Sequence, residues 1–471
     1  MAEFTDLIDL ASEKNGGAVL SANDEFFAEK ENLLRSHPAV WDEHRYTDRG
    51  KWMDGWETRR RRVAGDDWCI VRLGLPGVVR GVVVDTSYFR GNYPEACAIE
   101  AAVAEAGTPP EAIEGWTELL PRVALEGNAK NSFPVDAPFR VTHLRLRIYP
   151  DGGVARLRVH GDVVPDWKRL LRAPELDLAT AENGAFVPRV SDMFFGSRNN
   201  LIAPGRPANM GEGWETRRRR GPGNDWAIVR LAGEGSVRLA EIDTTHFRGN
   251  APGWCTLETG DGDAWTELLP RTALLSNTRH LFDEALLAVP AATHVRLQIF
   301  PDGGVARLRL FGSLSPAGRR GVGVRRLDTA LHPEAELRAC CASSAWVREM
   351  AARRPFGTLD AVLAAADEVW SALGPADWRE SMDGHPRIGE RRAGWSDQEQ
   401  ASARGTSFSD ANRAYEERFG HIFLVCATGK TGEQILAQIA ARMTNGPEVE
   451  LRVAAEEQRQ ITRLRLAKLL S

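Results

Sequence analysis

The chain is predicted to fold as two tandem all-β jelly-roll sandwiches followed by an all-α domain. Three observations carry that prediction. A set of sequence blocks occurs twice, the segments inside each copy are short, β-branched and bounded by turn residues, and beyond about residue 326 the chain becomes rich in Ala, Leu, Glu and Arg with apolar residues three and four apart. With 471 residues and roughly 150 per domain, three domains are expected, at 1–170, 171–315 and 326–471, with a loop-like linker at 316–325.

The duplication is read block by block. Gly55-Trp56-Glu57-Thr58-Arg59-Arg60-Arg61-Arg62 returns as Gly213 to Arg220. Asp67-Trp68 returns at Asp225-Trp226, and Asp85-Thr86 with Phe89-Arg90-Gly91-Asn92 returns as Asp243-Thr244 with Phe247-Arg248-Gly249-Asn250. Trp116 to Arg122 reappears at Trp265 to Arg271, and Pro150 to Arg156 at Pro301 to Arg307. Blocks repeated in one order imply a duplicated domain, and the period is too long for a solenoid. From Thr142 to Tyr149 apolar and polar residues alternate, a Pro-Asp-Gly-Gly turn follows, and Val154 to Val159 alternates again, so a hairpin is predicted there and at Thr293 to Leu310. Seven or eight such strands per copy, without helical crossovers, predict an antiparallel sandwich.

In the last domain Leu363, Val369, Trp370 and Leu373, and then Ile435, Ile439 and Met443, have helical spacing. His385 precedes Pro386, which places it at a helix end or on a loop, either hydrogen-bonded there or acting as a general acid or base. Ser396 with Glu399 reads as a capping box that starts a helix, whose N-terminus suits an anion, and Glu399 has the competing role of merely capping it. Gly429-Lys430-Thr431 is not a P-loop, because position 424 is leucine where that motif needs glycine. The run Ile422 to Val425 is expected to pack in the core with its backbone N–H groups available.

Charge excludes some partners. A formal net charge of −5 gives no pull toward nucleic acid or an acidic membrane. Of 60 basic residues only seven are lysine, so arginine dominates; base composition explains most of that bias, and two-point carboxylate binding is the functional alternative. No secretory signal or membrane span is legible, and six scattered cysteines without metal or disulfide spacing fit a reducing cytoplasm. As a strand, the four-arginine run would send Arg59 and Arg61 to one face, either as a solvated edge or as an anion site. Trp56, Trp68 and Trp116 are expected in packing. His246 stands where the first copy has Tyr88, and no HxH or HExxH spacing supports a metal site.

The stretches HPRIGE, SDQEQ, RFGHIFLVCATGKT and EEQRQITRLRLAKLL, over about 326–471, resemble 2-oxo-4-hydroxy-4-carboxy-5-ureidoimidazoline (OHCU) decarboxylase. The resemblance implies His385 as catalytic acid/base and Glu399 as its partner, with Pro386, Ser396, Gln400 and the backbone of Ile422, Phe423, Leu424, Val425 and Cys426 contacting substrate. Loss of carbon dioxide leaves a carbanion that the substrate ring delocalises, so no cofactor is expected.

FTDLIDLA, GKWMDGWETRRRR, DDWCIVRLGLPG, DTSYFRGNYPEA and the second-copy DTTHFRGN, over about 1–315, resemble allantoicase. That family implies two galactose-binding-like jelly rolls and hydrolysis of allantoate to ureidoglycolate and urea. The substrate needs an arginine for its carboxylate, carboxylates for its ureido N–H groups and an acid for departing urea. Arg59, Arg90, Arg217 and Arg248 are the candidates for the first role, Glu57, Asp85, Glu215 and Asp243 for the second, and His246 for proton transfer.

The expectation is a bifunctional cytoplasmic enzyme of urate degradation, acting on small ureido substrates, without metal or cofactor, without nucleic-acid or membrane partners, and homo-oligomeric. The alternatives are a tandem jelly-roll binding protein with a helical interaction domain, or a ureidoglycolate-cleaving enzyme.

Overall fold

The computed structural model describes residues 4–390, 395–400 and 407–471, with only the backbone of 396 and 397. The chain forms two units, Met1–Arg319 and Arg320–Ser471.

In the first unit each repeat is organised by one long strand, Asp67–Asp85 and Asp225–Asp243. The beginning of Asp67–Asp85 pairs with Ala18–Ala22 and Arg140–Tyr149, and its end with Lys130–Pro134 and Arg156–Val163, all antiparallel. One strand thus serves both sheets. The change of sheet falls at Gly74 to Gly77, where a Cβ on Gly74 would stand 2.3 Å from Asn15 O and one on Gly77 2.3 Å from Asp162 O, so a side chain is excluded at each end of the bend. Ala96–Ala102 and Thr117–Ala124 extend one sheet, and Ile8–Asp9 the other. The second repeat has the same order. Leu144, Leu146 and Ile148 are fully buried between the sheets, as their alternation requires.

The predicted hairpin is not one. Arg140–Tyr149 and Arg156–Val163 both pair with the long strand, on opposite sheets, and Gly153–Val154 pairs with Trp56–Glu57. Pro-Asp-Gly-Gly is therefore a crossing between sheets, and its second glycine is demanded by packing: a Cβ on Gly153 would lie 1.9 Å from the buried Phe89 ring, and one on Gly304 1.9 Å from Phe247. Gly153→Ala is expected to cost about 1–3 kcal/mol through overpacking. A denaturant midpoint equal to wild type would show that the ring yields instead.

The arginine run is not a strand either, since pairing stops at Trp56–Glu57. Two of its four members fold back on acids. Arg59 Nε lies 2.6 Å from Asp24 Oδ2 and Arg61 Nη1 2.6 Å from Asp67 Oδ1, and Arg217 and Arg219 repeat this with Asp192 and Asp225. Trp56 and Trp214 are fully buried, as expected, with Nε1 donating to Asp24 O and Asp192 O. The segment 316–325, read as a loop, is helical within Pro316–Thr329. Proline opens that helix, and the Ser315 hydroxyl accepts from Gly318 N–H at 2.9 Å, which satisfies a first-turn donor.

The second unit is all-α among its described residues. The long helix Pro447–Leu469 packs on Glu334–Cys340, Leu359–Ala372 and Pro375–Asp383. Val369, Trp370, Ile435 and Ile439 are buried as the spacing predicted, while Leu363, Leu373 and Met443 pack at the edges of those clusters. No described helix is long and apolar enough to cross a membrane.

Candidate functional sites

The first repeat contains a cavity of about 530 Å³. Its floor comes from duplicated residues and its wall from the segment before Gly55. Glu57, at the end of the short strand, accepts a 2.7 Å hydrogen bond from Asn92 Nδ2. Burial pushes the Glu57 carboxyl up from its ordinary value, against the lowering effect of Asn92, so it keeps its proton to higher pH than a free carboxyl does. Arg90 shares the cavity, and its guanidinium has no hydrogen bond or ion pair among the described residues. Tyr88 holds φ at 71°, with its N–H donating to Asn128 Oδ1, and stacks on Trp41 with ring centroids 5.9 Å apart. A bulky residue in the left-handed region is strained. Phe27, Arg49, Lys51 and Met53 complete the wall.

The other candidates of this half are placed differently. Arg59 and Arg217 are tied to aspartates as described. Asp85 and Asp243 are buried and each accepts from a backbone N–H two residues on, at Ser87 and Thr245, so they close the turn after the long strand. Arg248 is exposed. Glu215 receives Asn250 Nδ2 at 2.6 Å, and His246 Nε2 lies 3.1 Å from Pro207 O. Asn92, Trp41, Arg49 and Lys51 were not among the expected site residues.

In the helical unit Pro375–Asp383 ends just before His385, whose N–H donates to Met382 O at 2.9 Å. The loop that follows is held from several sides. Arg387 makes a two-point pair with Glu416 at 2.6 and 2.9 Å, Asn412 Nδ2 donates to Ile388 O at 2.9 Å, and Gln400 Oε1 accepts from Gly389 N–H at 2.7 Å. Pro386 is half-buried in this loop.

Glu399 does not cap its helix. Trp395 is already helical, which puts Ser396 inside the helix rather than at its start, and the side chain of Ser396 lies outside the described residues. The Glu399 carboxylate instead takes Arg465 Nε and Nη2 at 3.0 and 2.9 Å, with both side chains nearly buried. Such a fork is a strong, directional pair. Arg465 escaped the sequence reading, although a signal existed: on the last helix Leu451, Ala454, Ala455, Gln458, Ile461, Thr462 and Leu466 form the buried face, and an arginine on that stripe needs a buried partner.

Ile422 to Cys426 is extended, as an apolar run that alternates between two cores. Phe423 and Val425 enter one cluster, Leu424 with Ile422 and Cys426 the other. One of the N–H groups expected to be available is taken, since Cys426 N–H donates to Glu457 Oε2 at 2.7 Å, and the Leu424 carbonyl accepts from Arg442 Nη1 at 2.9 Å. Burial pushes the Cys426 thiol up; Lys430 pulls it down, and the carboxylates of Glu457 and Glu399 push it up again. This run therefore lies within the electrostatic reach of Glu399.

Tandem jelly rolls with a carboxyl, a carboxamide and a guanidinium in one cavity, followed by a helical domain with a histidine loop pinned by Gln400 next to the Glu399–Arg465 pair, have the architecture of a two-part enzyme. The allantoicase repeat model matches residues 8–164 and 176–315, and the OHCU decarboxylase model matches residues 330–467. The probable allantoicase of Nocardia farcinica is 52% identical over 318 residues, covering 66% of this chain and 95% of that protein. Probable allantoicase 2 of Burkholderia pseudomallei is 49% identical over 320 residues, covering 65% and 95%. Allantoicase from Saccharomyces cerevisiae, a crystal structure, matches with a TM-score of 0.57 at 35% identity, covering 66% of this chain and 96% of that one. The chain belongs to the allantoicase family and carries an OHCU decarboxylase domain in addition, a hydrolase and a lyase of urate degradation in one polypeptide.

Proposed function

We propose that allantoate is hydrolysed in the first-repeat cavity and that OHCU is decarboxylated at the His385 loop. The observation that carries the first assignment is the grouping of protonatable Glu57, Asn92 and unpaired Arg90 in one cavity. Arg90 takes the allantoate carboxylate by its two-pronged donor geometry. Glu57 gives its proton to the ureido nitrogen as the carbon–nitrogen bond breaks, so urea leaves neutral; water then adds to the carbon, and its proton returns to Glu57. Asn92 orients the carboxyl.

In the helical unit Glu399 and Arg465 form a fixed charge pair, and His385, on a loop pinned at Gly389 by Gln400, supplies the proton that quenches the carbanion. Free cysteines throughout, five of them buried, support a reducing, cytoplasmic setting. Purified protein supplied with allantoate should release urea and ureidoglycolate, and supplied with OHCU should release carbon dioxide faster than buffer does. Glyoxylate and urea released from supplied ureidoglycolate, with allantoate left unconsumed, would turn the hydrolytic half into a ureidoglycolate-cleaving enzyme, and no urea from folded protein with either substrate would remove that half of the proposal.

A further inference from the structure

The two repeats share a floor and differ in their wall. In each, an asparagine amide fixes the glycine that precedes the buried tryptophan: Asn32 reaches Gly55 O across 23 positions, while Asn200 reaches Gly213 O across only 13. The first repeat therefore carries ten more residues at this point. They form the small hairpin Tyr46–Thr47 and Gly50–Lys51, and with Trp41 and Met53 they enclose the side of the cavity that faces Glu57.

The hairpin is held by its own cations. Lys51 Nζ donates to Asp42 O and Glu43 O at 2.5 and 2.6 Å and lies over the rings of Trp41 and Tyr46, and Arg49 Nη1 donates to Phe26 O at 2.7 Å. Its foot is anchored in the core. Asp54 accepts from Val40 N–H at 2.9 Å and from Arg156 Nη2 at 2.7 Å, and Arg156 Nε reaches His37 O at 3.0 Å.

At the matching place in the second repeat the shorter loop consumes the polar groups itself. Pro207 O takes the His246 ring, and Met210 Sδ sits 3.4 Å from the same Asn250 amide that holds Glu215. Glu212, which replaces Asp54 before the glycine, accepts from Ala208 N–H of its own loop at 2.8 Å and pairs with Lys14 of the first repeat at 2.7 Å. The floor stays open: Phe195 is 62% exposed, against 36% for its counterpart Phe27.

We propose that the ten-residue hairpin makes the first repeat the single hydrolytic site, and that the second repeat keeps the Glu–Asn pair only as a brace between its loops. This rests on the allantoate reading above. Proton transfer to a departing urea needs a pocket that holds the substrate and excludes bulk water; the first repeat has that wall, and the second repeat instead braces its partner through Glu212 and through Asn199 Nδ2, which donates to Asp6 O at 2.8 Å.

Three variants test it on the full chain. Glu57→Gln is expected to lower kcat for urea release by at least about a hundredfold, and the slowed variant, titrated calorimetrically with allantoate, should bind one molecule per chain. Glu215→Gln should leave kcat and KM for urea release at wild-type values. Two bound molecules per chain, or equal losses in the two variants, would overturn the single-site assignment. A wild-type protein that binds allantoate and releases no urea would instead sink the hydrolytic reading itself. Replacing residues 42–51 with a short glycine link, while the first unit's melting temperature is monitored, should raise KM for allantoate. An unchanged KM in the folded variant would show that the hairpin is not the wall of the site.

Discussion

His385→Ala is expected to lower kcat for decarboxylation by about 10²–10⁴-fold, the usual worth of a positioned proton donor, while urea release from allantoate stays at its wild-type rate. The variant should fold, because Arg387 on Glu416, Asn412 on Ile388 O and Gln400 on Gly389 N–H hold the loop from other residues. The readout is the optical activity of the (S)-allantoin formed, which separates enzymatic turnover from spontaneous loss of carbon dioxide. Decarboxylation at the wild-type rate would move the proton donor elsewhere.

The second large effect is on stability. Asp54→Ala is expected to destabilise the first unit by about 3–5 kcal/mol, because it leaves the Arg156 guanidinium buried without its counter-charge; the two side chains are each only 1% exposed. Burial opposes ionisation of Asp54, yet the hydrogen bonds from Arg156 and Val40 N–H win and hold its carboxyl below the ordinary value. A depressed folded-state value stabilises fully above the unfolded carboxylate's range, about pH 4, and that contribution is lost as pH falls through the folded value. Asp54→Ala should therefore flatten the acid limb of the stability curve as well as lower its plateau. Asp162→Ala, which breaks the exposed pair with Arg80, is the contrast and should cost no more than about 1 kcal/mol. Equal midpoint shifts for the two variants would show that Asp54 is not an anchor.

Both predictions turn on groups of unequal legibility in the chain. His385 was visible because proline after histidine forbids a continuing helix, and the structure ends its helix at Asp383. Glu399 was visible as a residue but its partner was not: three-residue spacing from Ser396 suggests a cap, and only the fold brings Arg465, 66 positions away, onto the carboxylate. In the first unit, comparing copies drew attention to what is duplicated, and Asp85, Asp243, Arg59 and Arg217 are duplicated because the loops of a jelly roll need them. Trp41, Arg49 and Lys51 lie in the part that has no copy, so that comparison passed over them. A difference in length between repeats was the available signal.

The sequence by itself determined the duplicated β architecture, the helical C-terminal region and both families, since these depend on local periodicity, turn residues and blocks of identity that survive without coordinates. Tertiary structure decided the rest. A strand that changes sheets at Gly74 to Gly77 turned an apparent hairpin into a crossing, and one inserted hairpin separated two otherwise matching floors into a walled cavity and an open one. The physical reason is the same in each case: pairing, burial and desolvation are set by which distant segment arrives alongside, and alternation along a chain fixes which face a residue shows but not what meets it.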